Sequence, residues 1–114
     1  MKIKGVDFYW NPILETLPRE KLKALQLKKF KRIIKWGYDN SKLYRRIYDE
    51  AGFHPEDVKT WGDISKVPTL QKNDYLDAQA KDPWPYGDSL CVPLEQVTEY
   101  HQTSGTTGQP WKIN

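Results

Sequence analysis

One segment of this 114-residue chain combines residue types that suit the binding of a phosphate group. Four hydroxyl side chains are interleaved with two glycines between Thr103 and Gly108. Gly105 and Gly108 permit positive φ angles and a close approach of the backbone, so O–H and N–H groups can point at one anion. A hydrogen bond to a charged phosphate oxygen contributes about 1.5–3 kcal/mol, so a few of them can hold a nucleotide. A plain hairpin turn is the competing interpretation.

Two well-known phosphate-binding loops do not fit this segment. The Walker pattern requires Gly-Lys-Ser/Thr at its end, whereas Gly108 is followed by Gln109 and Pro110. The dinucleotide fingerprint requires three glycines at fixed spacing before a helix, and this segment has neither feature. The segment therefore belongs to neither of these two classes of loop.

The residues on either side of the loop predict the element that carries it. The run from Gln96 to Tyr100 alternates polar and β-favouring residues, which predicts a strand that leads into the loop. Pro110 is expected to end the loop, and residues 111–113 are expected to start a return strand. The loop would then lie at the turn of a β-hairpin.

The preceding part of the chain is predicted to be helical. Pro18, with Glu20 two residues later, is a signal for the start of a helix. Apolar residues then recur at helical spacing on one face, namely Leu22, Leu25, Phe30, Ile33, Ile34 and Trp36, with Leu27 at its margin. Basic residues occupy the opposite face, namely Lys21, Lys28, Lys31, Arg32 and Lys35. We expect an amphipathic helix whose basic side faces solvent.

Shorter helices are expected to follow. Gly37 and the Asn40-Ser41 pair should interrupt the first helix, and Ser41 can cap a second one that ends at Gly52. The further signals are a turn opened by Pro55, a capping box formed by Thr60 and Asp63, a break at Val67-Pro68, and a weaker helix from Gln71 to Ala80. Helix is improbable from Asp82 to Leu94, which contain three prolines.

These signals predict an α+β fold in three parts. Residues 1–17 form an irregular N-terminal arm, residues 18–81 a helical subdomain, and residues 82–114 the start of a further core, which includes the β-hairpin with the Ser/Thr/Gly-rich loop. Five Trp and seven Tyr supply large apolar surfaces, and we expect Trp61, Trp84 and Tyr86 in the core.

The composition narrows the classes of function. The net charge of +3 comes from interspersed Lys and Arg, so neither a nucleic acid nor a membrane is expected as a partner. Cys91 is the single cysteine, so the chain has no intrachain disulfide and no cysteine-based zinc site. No apolar run reaches about 20 residues, and we expect a soluble, cytoplasmic protein.

The loop resembles the Ser/Thr-Gly-Thr-Thr-Gly-x-Pro motif of the adenylate-forming superfamily, which includes acyl-CoA synthetases. Other residues resemble the opening of its branch of phenylacetate-CoA ligases and coenzyme F390 synthetases. They are Leu-Pro-Arg-Glu-Lys-Leu at positions 17–22, Asn40-Ser41, Asp-Glu-Ala-Gly at positions 49–52, Pro-Glu-Asp-Val at positions 55–58, and Val67-Pro68. The resemblance extends from about Glu15 to Pro110.

The resemblance implies an ATP-dependent acid-CoA ligase that converts a carboxylic acid into an acyl-adenylate and then into its CoA thioester. ATP, Mg²⁺ and CoA would be its cofactors and substrates. The phosphates of ATP would be held by Thr103, Ser104, Gly105, Thr106, Thr107 and Gly108, and His101 would contact the nucleotide or acyl group. The chain departs from the branch at Gln109, where Lys is common, and from the wider superfamily at Trp111, which intervenes before Lys112.

The same resemblance assigns neither a catalytic residue nor a metal ligand to this chain. The magnesium-binding acid, the ribose-binding acid and the C-terminal lysine of the family would lie beyond Asn114. We therefore expect an inactive N-terminal fragment of a larger adenylate-forming fold, truncated naturally or by cloning.

Three questions stay open at the level of sequence. The acid is expected to be aromatic, such as phenylacetate, but its pocket is not encoded here. The acceptor can be CoA or, as in F390 synthetases, a deazaflavin. The alternative to a ligase is a helical interaction or oligomerisation module, in which the Leu22 to Trp36 face binds a partner or forms a homodimer.

Overall fold

Helices dominate the computed structural model, which describes residues 2–3, 6–104 and 112–113. The α-helices are α1 (Pro12–Glu15), α2 (Arg19–Asn40), α3 (Lys42–Glu50) and α4 (Lys72–Gln79). Short 3₁₀ turns lie at Pro55–Asp57, Trp61–Lys66, Gly87–Ser89 and Leu94–Gln96. Two-residue strands form two antiparallel pairs, β1 (Lys2–Ile3) with β2 (Val6–Asp7), and β3 (His101–Gln102) with β4 (Lys112–Ile113).

Helix α2 is longer than the sequence predicts. It starts directly after Pro18 and passes through Gly37 without a break, so the predicted interruption at Gly37 is wrong. Gly37 is buried, and a Cβ atom there would lie 3.4 Å from Cγ of Tyr44. Glycine costs about 1 kcal/mol more than alanine within a helix, but here it leaves room for the Tyr44 ring.

The corner between α2 and α3 is fixed by Ser41, as predicted. The side chain of Ser41 is almost fully buried and caps α3 by accepting a hydrogen bond from the N–H of Tyr44 at 3.4 Å. Its hydroxyl also donates to the carbonyl oxygen of Asp88 at 3.0 Å. One side chain therefore starts α3 and anchors a segment that lies 47 residues further along the chain.

The core lies where α2 and α3 meet the turn that follows them. Ile34, Tyr48, Phe53 and Val58 form one buried cluster, and the rings of Tyr48 and Phe53 meet edge to face with centroids 5.1 Å apart. Leu43 on α3 is fully buried as well. The basic face of α2 is exposed, in agreement with the sequence analysis.

Capping boxes stabilise the short helical turns. The predicted pair of Thr60 and Asp63 is present, because Asp63 accepts hydrogen bonds from the N–H of Thr60 at 2.8 Å and of Lys59 at 2.9 Å. Equivalent boxes start the turn at Pro55–Asp57 and helix α4. Only the box of Thr60 and Asp63 was predicted from the sequence, from the spacing of three residues between its partners.

Several local expectations were wrong. The run from Gln96 to Tyr100 is not a strand, since pairing begins only at His101. The arm of residues 1–17 contains β1, β2 and α1 rather than irregular chain alone. Ile33 and Trp36 on the apolar face of α2 are exposed, as are Trp61 and Trp84, although Tyr86 is buried.

The chain is less compact than an independent domain of its length. Its radius of gyration is 18.2 Å, whereas about 13 Å is typical of a globular domain of this size. Large apolar side chains remain exposed, including Trp10, Ile13 and Trp84. Among the described residues, no helix combines the length and the apolar character required to cross a bilayer.

Candidate functional site

The predicted phosphate loop follows β3 and precedes β4. His101 in β3 pairs with Ile113, and Gln102 pairs with Lys112, so the chain returns antiparallel to itself on either side of residues 103–111. Thr103 is half-buried and Ser104 is exposed. Gly105, Thr106, Thr107 and Gly108 lie outside the described residues, so the hairpin turn and its phosphate cradle stay predictions.

His101 is exposed at the entrance to the loop and has an acidic partner. Its Nε2 atom lies 3.0 Å from Oε2 of Glu99, and both side chains are largely accessible to solvent. Sequence reasoning missed Glu99, although residues two apart in extended chain lie on the same side and could have indicated the pair. Through this contact Glu99 can orient the imidazole ring.

A cavity of about 400 Å³ opens beside His101. Its walls include Val92, Val97, Thr98 and the Glu99–His101 pair. No Lys or Arg occurs between Val92 and Ser104. A phosphate at this edge would therefore depend on hydroxyl and backbone N–H donors of the loop, because this stretch supplies no guanidinium or ammonium group.

The segment that leads into the loop is anchored to the helical part. The buried ring of Tyr86 lies 6.2 Å from the ring of Tyr100, measured between centroids. Asp88 accepts from Nζ of Lys81 at 2.9 Å and lies 3.6 Å from Nη1 of Arg46 on α3. These contacts fix the path of the chain from α4 towards β3.

A second and larger cavity is lined by acids that already have hydrogen-bond or ion-pair partners nearby in the sequence. It measures about 510 Å³ and is lined by residues that include Asp57, Lys59, Asp63 and Lys66. Lys66 pairs with Asp63 at 2.7 Å, and this contact, with the hydrogen bonds from Thr60 and Lys59, lowers the pKa of the Asp63 carboxyl group. Asp57 accepts from the N–H of His54 at 2.9 Å. The acids of this cavity therefore stabilise local turns.

Metal ligation has no candidate in the part of the chain that the structure describes. No three side chains among its histidines, cysteines, aspartates and glutamates lie close enough together to hold an ion. Any Mg²⁺ that accompanies a nucleotide would need ligands other than a cluster of these residues.

Comparison with known proteins relates the chain to acid-CoA ligases. It is 42% identical over 101 residues to phenylacetate-coenzyme A ligase of Thermus thermophilus, which covers 89% of this chain and 21% of that protein. It is 40% identical over 97 residues to the phenylacetate-coenzyme A ligase of Escherichia coli, covering 85% of this chain and 21% of that protein. No family model matches the chain.

Comparison of the fold also relates the chain to acid-CoA ligases. 2-Hydroxyisobutyryl-CoA ligase, solved in complex with 2-HIB-AMP and CoA in the thioesterification state, superposes with a TM-score of 0.81 at 36% identity, covering 91% of this chain and 22% of that one. The same ligase in the postadenylation state with R3-HIB-AMP superposes with a TM-score of 0.83 at 30% identity, covering 98% of this chain and 23% of that one.

These matches show that the chain is homologous to the N-terminal region of phenylacetate-coenzyme A ligases. It spans about a fifth of the length of the curated relatives that it matches. The predicted resemblance to this branch of adenylate-forming enzymes is thereby confirmed.

Proposed function

We propose that this chain is the ATP-binding N-terminal part of an acid-CoA ligase. The observation that carries the proposal is the identity of 42% to a phenylacetate-coenzyme A ligase across 89% of this chain. The mainly helical fold supports it, because it superposes on a ligase solved with an acyl-adenylate and CoA.

The proposed reaction has two steps. A carboxylate oxygen of the acid attacks the α-phosphorus of ATP, the bond to the bridging oxygen of the β-phosphate breaks, and pyrophosphate leaves. The thiolate of CoA then attacks the acyl carbon, and AMP leaves with the former carboxylate oxygen. The acid is an aryl acid such as phenylacetate, and 2-hydroxyisobutyrate is the aliphatic acid that the structural relatives suggest for comparison.

This chain would position the substrates rather than take part directly in forming or breaking bonds. Hydroxyl and N–H groups from Thr103 to Gly108 would hold the β- and γ-phosphates and orient the α-phosphate for in-line attack. His101, held by Glu99, would contact the nucleotide or the acyl group at the cavity beside the loop. Mg²⁺ would neutralise phosphate charge, and we assign it no ligand in this chain.

The test is carboxylate-dependent exchange of pyrophosphate into ATP. We expect exchange by the longest native polypeptide that contains this sequence, measured with a panel of aryl and alkyl acids that includes phenylacetate and 2-hydroxyisobutyrate. We expect none by the 114-residue chain, which serves as the parallel sample. Absence of exchange with every acid would overturn the ligase proposal and leave the helical interaction module as the better account.

A loop variant would localise the activity. Thr106→Val should reduce kcat/KM for ATP about ten- to hundred-fold, because a hydrogen bond to a charged oxygen contributes about 1.5–3 kcal/mol. Thr69→Val is the matched control, since Thr69 is exposed and remote in sequence from the loop. Equal losses in both variants would contradict the assigned role of the loop.

A further inference from the structure

The cavity beside His101 has walls that suit an uncharged part of a substrate. Val92 and Val97 supply apolar surface, and Glu99 is the one acid among the described residues that line it. None of those residues is Lys or Arg. A phosphate or carboxylate group in the cavity would therefore meet the Glu99 carboxylate without a compensating cation. The phosphates of a nucleotide fit the hydroxyl-rich loop instead, which leaves the cavity to an uncharged group.

The size of the cavity agrees with this division. Its volume of about 400 Å³ lies within the range of roughly 300–1,000 Å³ that is usual for small-molecule sites. Such sites combine apolar walls with a few polar groups that fix the orientation of the ligand. The imidazole ring of His101, held by Glu99, is the candidate for that task here.

The contact between Glu99 and His101 decides which ring nitrogen is left for a ligand. Oε2 of Glu99 lies 3.0 Å from Nε2 of His101, and an ionised carboxylate can only accept a hydrogen bond. In the neutral imidazole the single ring proton is therefore on Nε2, which leaves Nδ1 as an acceptor. Within the part of the chain that the structure describes, Nδ1 of His101 takes part in no hydrogen bond. The pair thus presents an acceptor that the fold does not use.

His54, the second histidine of the chain, provides a contrast. Its Nδ1 atom already accepts a hydrogen bond from the N–H of Glu56 at 3.3 Å, at the start of the turn Pro55–Asp57. The acceptor of His54 therefore stabilises local structure, whereas that of His101 is left for a ligand. His54 can serve as an internal reference for measurements on the two rings.

We propose that Glu99 is a positioning residue that keeps the ring proton of His101 on Nε2, so that Nδ1 accepts a hydrogen bond from an uncharged donor of a substrate. The donor is a hydroxyl or amino group, which belongs either to the nucleoside of ATP or to the acid. The inference rests on the proposed function and deepens it, because it assigns the contact of His101 to an uncharged group and not to a phosphate or carboxylate oxygen.

The first test measures the tautomers of His101 directly. ¹⁵N–¹H correlation spectra of the 114-residue chain distinguish a protonated ring nitrogen from an unprotonated one, and only two histidines contribute signals. In alkaline buffer, where imidazole is neutral, we expect His101 to carry its proton mainly on Nε2. Glu99→Ala should raise the population of the Nδ1–H form about two- to five-fold, which is the factor expected for an exposed charged pair. The signals of His54 should stay unchanged.

Glu95→Ala is the matched control, because it removes an equal charge from an exposed position in the adjacent turn Leu94–Gln96. It should leave both rings as they are in the parent chain. A parent chain that carries the proton of His101 mainly on Nδ1 would overturn the proposal. An equal response of His101 to Glu99→Ala and to Glu95→Ala would overturn it as well.

A pair of His101 variants tests the acceptor in catalysis. The side-chain oxygen of Asn is bonded to Cγ, as Nδ1 of histidine is, whereas the amide of Gln extends to the position of Nε2. In the longest native polypeptide that contains this sequence, His101→Asn should retain about three- to ten-fold more kcat/KM for pyrophosphate exchange than His101→Gln. Equal losses in both variants would contradict the role of Nδ1, because a purely structural role of the ring would not favour Asn.

Substrate analogues identify the donor. Trimethylacetate replaces the hydroxyl of 2-hydroxyisobutyrate by a methyl group, purine riboside triphosphate lacks the amino group of ATP, and the 2′- and 3′-deoxy forms of ATP each lack one hydroxyl. The loss of kcat/KM caused by His101→Ala should be about three- to ten-fold with the intact substrate and should disappear with the analogue that lacks the bound donor. Disappearance with trimethylacetate would assign the donor to the acid, and disappearance with a nucleotide analogue would assign it to ATP. A loss of the same size with every analogue would overturn the proposal.

The two kinds of readout separate this inference from the proposed function. The tautomer measurement needs neither ATP nor an acid. Absence of pyrophosphate exchange in the parent polypeptide would overturn the proposed function. Normal exchange, combined with tautomers of His101 that do not respond to Glu99→Ala, would overturn only the positioning role of Glu99.

Discussion

At the scale of single residues, Ser41 shows how one hydroxyl joins local and long-range structure. It caps α3 and donates to the carbonyl oxygen of Asp88. Ser41→Ala should lower the free energy of unfolding by about 1–3 kcal/mol, because a helix cap is lost and a part-buried carbonyl oxygen loses its donor. Urea denaturation measures the change.

The control for Ser41 is Ser65→Ala. Ser65 is exposed, and its hydroxyl donates to the carbonyl oxygen of Gly62 at 3.0 Å. We expect a change below about 0.5 kcal/mol, as for most surface substitutions. If Ser65→Ala lowered the free energy of unfolding as much as Ser41→Ala does, burial of the hydroxyl would not explain the effect at Ser41.

Asp63 gives the chain a predictable response to acid. The ion pair with Lys66 and the backbone hydrogen bonds lower the pKa of Asp63 in the folded state. Its contribution to stability is therefore present above the ordinary pKa of about 3.9 and is lost as the pH falls below that value. Asp63→Asn should lower the melting temperature at pH 7 and flatten its decline below about pH 4.

Melting temperatures measured between pH 7 and pH 2 test this expectation. Asp77→Asn serves for comparison, because Asp77 is exposed on α4. If both variants decline with acid as steeply as the parent chain, Asp63 is not a source of the acid sensitivity.

Residue-level features were predictable where partners are close in sequence. The Ser41 cap and the box of Thr60 and Asp63 depend on atoms within three residues, so their spacing revealed them. The hydrogen bond from Ser41 to Asp88 spans 47 residues and depends on tertiary packing. No local pattern could indicate it.

At the scale of elements, Gly87 determines how the 3₁₀ turn at Gly87–Ser89 meets α4. Its φ angle is +54°, and a Cβ atom there would lie 1.8 Å from the carbonyl oxygen of Ala78. Gly52, which ends the α3 region, has a φ angle of +64° but no atom within 4 Å of such a Cβ. The two glycines thus share a conformation and differ in their surroundings.

This difference makes a matched pair of substitutions. Gly52→Ala should lower the free energy of unfolding by about 1–2 kcal/mol, because a residue with a Cβ atom is strained in the left-handed conformation. Gly87→Ala should cost about 1–3 kcal/mol more, because the turn must move away from α4. Chemical denaturation of both variants gives the two values, and equal costs would show that the turn shifts freely.

The elements themselves were only partly predictable. The helical periodicity of the sequence predicted the apolar and basic faces of α2. It could not show that Ile33 and Trp36 on the apolar face would be exposed. Gly37 was expected to break the helix because glycine has a low helix propensity, which can be judged from the sequence. The packing of the Tyr44 ring, which favours glycine at this position, is a tertiary contact and cannot. The loop from Gly105 to Gly108 lies outside the described residues, so its predicted role rests on sequence and homology.

At the scale of the whole molecule, the helical part is organised around few buried residues. The buried apolar residues of the described part are Ile34, Leu43, Tyr48, Phe53, Val58, Ala78 and Tyr86. They connect α2, α3, α4 and the intervening turns, and partly buried side chains such as Leu27, Phe30 and Val67 pack against the cluster around Ile34. A core of this size should give a stability near the lower end of the roughly 5–15 kcal/mol that is typical of domains.

Leu43→Ala tests whether this core is one cooperative unit. Leu43 is fully buried, so the substitution should cost about 2–5 kcal/mol through lost burial and a residual cavity. Because that loss is comparable to the expected stability, we predict that the 114-residue variant is largely unfolded at about 37 °C.

Circular dichroism and tryptophan fluorescence should report the same unfolding transition in the parent chain. Separate transitions would show that α2 and the segment around Leu43 fold independently, and Leu94→Ala, at an exposed position, should leave the parent transition almost unchanged.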